Sequence, residues 1–252
     1  MTNALLRKLA RFERLNPNEN AAIEQLCAVA TQHRGDEQID QSGTVPILLS
    51  GFAYRFKLLS DGRRQIHGLY VAGDICQHVY GFLLPQGDHG IRTLTPSVVA
   101  AVPVTSLLAI MDQYPRIARA IWTNAVAGDK MLREWVVSLG RRTAYERMAH
   151  LFCEVFLRLR AVGQVDGDTC DLPLTQMDLG DLMGLSTVHV NRVLQQLRRD
   201  GLIALKGSQL TIRDVALLSR AADLDAAYLS LDMVEGVSPP TTAPMSLARP
   251  AS

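Results

Sequence analysis

Residues 175–199, TQMDLGDLMGLSTVHVNRVLQQLRR, constrain the fold more than any other stretch of the 252-residue chain. Thr175 with Asp178 three residues later has the form of an N-terminal cap, opening a helix through Leu179, Leu182 and Met183. Gly180 sits inside that helix, where glycine costs about 1 kcal/mol relative to alanine, so a neighbouring helix is expected to cross closely there. Gly184 supplies a tight turn, and Leu185 packs inward. Ser186 then caps a second helix whose Val190, Val193, Leu194 and Leu197 form a single apolar stripe. These offsets specify a helix-turn-helix.

The second helix carries Thr187, Val188, His189, Asn191 and Arg192 off that stripe, near its N-terminus, where recognition helices meet base edges in the major groove. Arg192 suits guanine, Asn191 suits adenine, and Val188 suits a thymine methyl. Residues 202–205 and 210–212, joined by Lys206-Gly207-Ser208-Gln209, read as a two-stranded wing whose Lys206 and Ser208 reach phosphates. With Thr175, Gln176 and Ser186 at the helix starts, these residues are the expected contacts to double-stranded DNA. The chain as a whole is nearly neutral, with 26 Lys and Arg against 25 Asp and Glu, so any nucleic-acid footprint must be local. It is local here: from Ser186 to Arg220 six basic residues face only Asp200 and Asp214.

The first half of the chain has a different grammar. Apolar residues at helical spacing over residues 5–15 and again from Ala21 to Ala30 suggest a small helical preface. From about Thr44 to Val104 come short β-type runs at 46–49, 53–59, 65–71 and 98–104, separated by turn residues, which suggest a small sandwich or barrel. Asp61-Gly62 is the strongest hairpin signal, read as a two-residue type I′ turn. After Asp112 the period becomes helical for about 25 residues. Ile117, Ile121, Ala125, Gly128, Leu132, Trp135 and Leu139 form its apolar seam, expected to pair with a second copy of the chain. Gly140 interrupts that seam, placing a hinge near residues 140–143, and the proline-rich stretch 236–252 is expected to be disordered.

Motifs in both halves resemble the Crp/Fnr family of transcriptional regulators, relatives of the cAMP receptor protein, over roughly residues 5–232. The likeness rests on LLSGFAYRFK at 48–57, LSDGRRQ at 59–65, VAGDI at 71–75, AYERMAHL at 144–151 and LSTVHVNRVL at 185–194. The resemblance implies an α+β architecture. Residues 1–111 would be a jelly-roll β-barrel sensor of cyclic-nucleotide-binding type with N-terminal helices, 112–140 a dimerisation helix, and 141–235 a winged helix-turn-helix domain. It further implies a homodimer at a palindromic promoter site beside RNA polymerase, in the cytoplasm.

The signal is where this chain departs from the family. Cys76-Gln77-His78 stands where the nucleotide-binding members carry a Gly-Glu pair, and Gly87-Asp88 where they carry the phosphate-holding Arg pair; a carboxylate there repels phosphate. Arg92-Thr93 is that pair if the loop has slipped by five residues, which leaves Gly73, Asp74, Arg92 and Thr93 as the candidate ligand-binding residues. The recognition helix also departs, with Thr187-Val188 replacing the cAMP receptor protein's Arg-Glu pair while the later Arg persists as Arg192.

An iron–sulfur centre needs several thiolates at close spacing, and Cys27 stands alone in the N-terminal region. The four cysteines read as reduced thiols, with no disulfide framework and no zinc knot. No cofactor or metal is expected. His67, His78 and His89 would be the ligands if the barrel were instead a cupin-like metal- or small-ligand-binding protein without DNA function, but their spacing fits no ligand motif. No nucleophile elbow, phosphate loop, zincin motif or dinucleotide fingerprint is present, so the chain is not read as an enzyme. No apolar run approaches the length of a membrane span.

Overall fold

The structure, a computed structural model, describes residues 3–76 and 89–231. His78, Asp88 and the 236–252 tail lie outside the described residues. Two short helices open the chain, α1 (Ala4–Leu9) and α2 (Pro17–Leu26). Asn16-Pro17 starts α2. Asn16 and Glu19 form a reciprocal capping box, and proline at the first position gives up an amide that has no helical partner.

Strands β1 (Ala30–His33), β2 (Thr44–Ser50), β3 (Ala53–Leu58), β4 (Arg64–Tyr70), β5 (His89–Thr93) and β6 (Ser97–Pro103) form two antiparallel sheets ordered β1-β6-β2 and β4-β3-β5. Between them lie Ile39, Leu48, Ala53, Cys76, Ile91 and Val99, a small β-roll interior. β3 and β4 do form a hairpin around Asp61-Gly62, but the connection is residues 59–63 and not a two-residue turn. Gly62 alone takes positive φ, at 85°, while a type I′ turn needs it at both central residues.

A ten-residue helix unread in the sequence, α3 (Val104–Gln113), follows β6 directly, and Tyr114 then breaks the path before α4 (Pro115–Arg141). α1, α2, α3 and the start of α4 share a second core on β2 and β6, built from Leu5, Leu9, Ile23, Ile47, Val102, Leu107, Ile117 and Ile121. Gly140 does not end α4. The break falls at Arg142, because Thr143 and Glu146 form a capping box that starts α5 (Ala144–Ala161).

α5 is the hub of the third core. Phe152, Phe156, Met148 and Val155 are fully buried against α6 (Gln176–Met183), α7 (Thr187–Arg199) and α8 (Val215–Ala221), each side chain contributing about 1.5–3 kcal/mol. The wing is three-stranded, β7 (Thr169–Asp171) joining β9 (Gln209–Thr211), which pairs with β8 (Ala204–Lys206). This core runs without interruption onto Tyr54, Ile66 and Leu69 of the β-roll. The chain is described to the end of a short 3-10 turn, Ala226–Leu229, and two residues beyond.

Candidate nucleic-acid interface

α6 and α7 meet at a turn set by one glycine. A Cβ on Gly180 would lie 2.7 Å from the Leu185 carbonyl oxygen, and the Leu185 amide donates back to the Gly180 carbonyl at 3.0 Å. The close neighbour is therefore the backbone of the turn itself, with Val190 a more distant 4.0 Å away. Gly184 ends α6 in the left-handed conformation, φ 65°. From the other side Arg147 of α5 donates to the Met183 carbonyl at 2.9 Å, satisfying the end of α6.

Both helix starts are capped. Thr175 Oγ1 accepts from the Asp178 amide at 3.1 Å and donates to the Asp178 carboxylate at 2.6 Å; Ser186 Oγ accepts from the His189 amide at 3.3 Å. The amide-rich ends of α6 and α7 thus stay ordered and exposed, an arrangement that favours phosphate. On α7, Val190, Val193, Leu194 and Leu197 are buried, and Thr187, Val188, His189, Asn191 and Arg192 are exposed. Val188 is 70% exposed, a degree that no folding argument requires of a valine.

Gln195 and Arg199 are exposed on the same face, one and two turns beyond Asn191 and Arg192, and extend it past the residues singled out above. The helical period that gave the buried stripe gives them too. Arg198 is drawn away, donating to the Leu205 carbonyl at 3.1 Å. Lys206 and Ser208 are exposed at the wing tip, where Gly207 takes φ 60°.

The four candidate ligand-binding residues each have contacts within the chain itself. Gly73 takes φ 93° because a Cβ there would sit 2.6 Å from the Ala4 carbonyl oxygen; it lets α1 close onto the β-roll. Asp74 is buried, bonded to Lys8, to Arg158 at 2.7 Å and to the Val71 amide at 2.8 Å. Burial pushes its carboxyl up, but the Lys8 and Arg158 charges and the bonds from Lys8 and Val71 outweigh burial and hold it below the usual carboxylate range. Arg92 pairs with Asp36 at 3.1 Å, and the buried Thr93 hydroxyl donates to the Arg34 carbonyl at 2.5 Å.

A cleft of about 90 Å³ lies between β4 and α4, lined by Lys8, His67, Tyr70, Asn124, Trp135 and Arg158 among others. Its two cations are matched by Asp74 and by Glu154, which accepts from Arg158 at 3.2 Å. Among the described residues, the Lys and Arg side chains lining the cleft are therefore both already paired with carboxylates. Glu154 also accepts from Trp135 Nε1 and the Tyr228 hydroxyl, each at 2.9 Å, so one buried polar network joins α1, the β-roll, α4, α5 and the 3-10 turn. Tyr228 stacks on His150, and Arg11 donates to the Ser230 and Leu231 carbonyls, each at 3.3 Å.

The residues of the seam assigned to a second copy fall into different surroundings. Ile117 and Ile121 are buried in the chain's own second core, and the half-buried Trp135 donates to Glu154. Ala125, Gly128 and Leu132 line the cleft. Leu139 is exposed, and with Trp122, Val126, Val136 and Val137 it makes up the outward apolar surface of α4.

His67 and His89 bond to each other, Nε2 to Nδ1 at 2.8 Å, with rings edge to face. Among the described residues no three His, Cys, Asp or Glu side chains are grouped to hold a metal, and no helix is long and apolar enough to cross a membrane. All four cysteines are free and buried. Burial, helped by Asp171, pushes the Cys170 thiol up to about 12, and burial also raises Cys76 and Cys153, which disfavours the reactive thiolate.

Residues 146–221, from α5 to α8, match the Crp-like helix-turn-helix domain. The chain is 29% identical over 236 residues to the transcriptional activator FnrL of Cereibacter sphaeroides, a match that takes in 86% of this chain and 90% of FnrL. The chain is similar to Crp/Fnr regulators along most of its length. Another Crp/Fnr relative, the nitrogen fixation regulator FixK of Bradyrhizobium diazoefficiens, is 29% identical over 69% of this chain and 72% of its own. Among solved structures, FixK2 of Bradyrhizobium japonicum superposes with a TM-score of 0.66 at 27% identity, covering 77% of this chain and 96% of FixK2. A CRP-family regulator from Thermus thermophilus shares the fold at 19% identity, TM-score 0.60, over 77% of this chain and 97% of its own.

Proposed function

We propose that this protein is a homodimeric, sequence-specific DNA-binding regulator of transcription of Crp/Fnr type, with α7 reading the major groove and the wing holding the phosphate backbone. The carrying observation is the face Val188, Asn191, Arg192, Gln195 and Arg199, exposed on a helix whose opposite face is core and whose start is capped. Thr175, Gln176, Ser186, Thr187 and His189 contribute at the helix starts, and Lys206 and Ser208 at the wing tip. Two-fold symmetry then asks for a palindromic site with half-sites about 34 Å apart, beside RNA polymerase. Selection from random duplex DNA by the purified protein tests this: a symmetric motif is the expected result, and failure to enrich any sequence with or without added cell extract overturns it.

The two kinds of contact separate by mutation. Arg192→Ala is expected to cost about 1–3 kcal/mol and relax preference at one base position. Lys206→Ala should weaken all sequences alike and lower the salt slope by about one. Titrations of the selected site and of scrambled duplex at several salt concentrations check this, and equal behaviour of the two variants contradicts the roles.

Trp122, Val126, Val136, Val137 and Leu139 are the proposed contact with the second copy, because they leave two apolar groups uncovered on one long helix, on either side of the Asp129–Arg133 ion pair. Trp122→Glu combined with Val136→Glu is expected to give a folded monomer with much weaker affinity for a two-half-site duplex. Sedimentation equilibrium reads the first effect and titration the second; a variant that remains dimeric refutes the surface.

A further inference from the structure

The sensor touches the helix-turn-helix directly, apart from the long helix. Arg64, the first residue of β4 and just past the Asp61-Gly62 loop, donates from Nη2 to Asp178 at 2.6 Å and from Nε to Asp181 at 2.7 Å. Its Nη1 donates to the Tyr54 hydroxyl at 2.5 Å, and its guanidinium lies over the Tyr54 ring, 4.9 Å from the centroid. The neighbouring Gln65 donates from Nε2 to the Asp181 carbonyl at 2.8 Å.

An exposed ion pair of this kind would matter little. This one is different in two respects. The Arg64 side chain is 21% exposed and that of Asp178 11%, and the guanidinium spans two carboxylates, which an ammonium cannot reproduce. Asp178 is also the carboxylate that caps α6: one of its oxygens holds Thr175 and the other holds Arg64. Thr175, Gln176 and Met177 stay exposed, so the grip leaves the start of α6 open to DNA.

We propose that Arg64 is a latch by which the β3–β4 hairpin fixes the direction in which α6, and with it the recognition helix, is presented. The inference rests on the DNA-binding reading of α7. A dimer meets two half-sites at once only if both reading heads are held in one orientation. Releasing the latch spreads each head over orientations that cannot both engage, and apparent affinity falls with the competent fraction.

Arg64→Ala, Arg64→Lys, Asp181→Asn and the Arg64→Ala/Asp181→Asn double variant would be compared with the parent on the selected duplex, and by hydrogen exchange of α6 without DNA. Asp178 is left intact because its loss would also uncap α6. Arg64→Ala is expected to weaken binding roughly threefold or more, with no change in the preferred sequence, and the double variant to be no weaker than Arg64→Ala alone. Arg64→Lys should fall between, and α6 amides should exchange faster in Arg64→Ala. Unchanged or tighter binding, additive losses, or unchanged exchange overturns the latch. If the parent itself binds no DNA, the DNA reading fails and α6 exchange in Arg64→Ala still decides whether the hairpin holds the helix.

Discussion

Gly180→Ala is expected to lower the melting temperature and to reduce DNA affinity by on the order of a hundredfold, although alanine is the better helix former by about 1 kcal/mol. The added methyl would stand 2.7 Å from the Leu185 carbonyl oxygen, nearer than real Cβ atoms come, and that oxygen belongs to backbone that cannot rotate away. Relief requires the turn to open, at about 1–3 kcal/mol for an overpacked site. Opening it swings α7 relative to α6 and moves Asn191 and Arg192 off the base edges they would read. Because each good base contact is worth about 1–3 kcal/mol, losing one or two in each half-site dominates the outcome. Thermal unfolding and a titration with the selected duplex measure the two effects, and a variant that binds as tightly as the parent contradicts the account.

The second large effect concerns Asp74. Replacing it with asparagine leaves the Lys8 and Arg158 charges buried without their shared partner, and breaking a buried pair in this way costs about 3–5 kcal/mol. A pH signature accompanies the loss. The folded carboxyl sits below its unfolded value near 4, so its contribution is complete above that value and disappears as pH falls through the folded one. The melting-temperature gap between the parent and Asp74→Asn should therefore be constant near neutrality and narrow below about pH 4. A gap that widens on acidification would mean that Asp74 is not held ionised by its neighbours.

These two residues mark what sequence reasoning can and cannot reach here. Thr175 and Ser186 are legible because their roles are settled within a few residues by cap spacing, whereas Gly180 is legible as a close approach but not as one made by the turn's own backbone. Asp74 reads as a ligand residue from its place in the VAGDI motif, and its bonds to Lys8 and Arg158, 66 and 84 positions away, leave no local signal. β1 and β7, ATQH and TCD, are short and polar and become strands only through the partners they pair with. On α4 the period gave the helix but not the side of it that faces home. Ile117 and Ile121 look inward only once α3, itself run together with the preceding strand in the sequence, is in place against them. Arg64 gave no local signal at all, since both its carboxylates lie more than a hundred residues downstream.

The bonds from Arg11 to the carbonyls of Ser230 and Leu231 join residues 219 and 220 positions apart, so the later partners are synthesised long after Arg11. During synthesis the β-roll and its N-terminal helices leave the ribosome with that contact still unavailable, and Tyr228 reaches Glu154 only at the same late moment. The shared core and the Arg64 contacts can form as soon as α5 and α6 are available, while the contacts of Tyr228, Ser230 and Leu231 are added later. A nascent chain cut short before Tyr228 would carry a complete helix-turn-helix that its sensor does not yet fully hold.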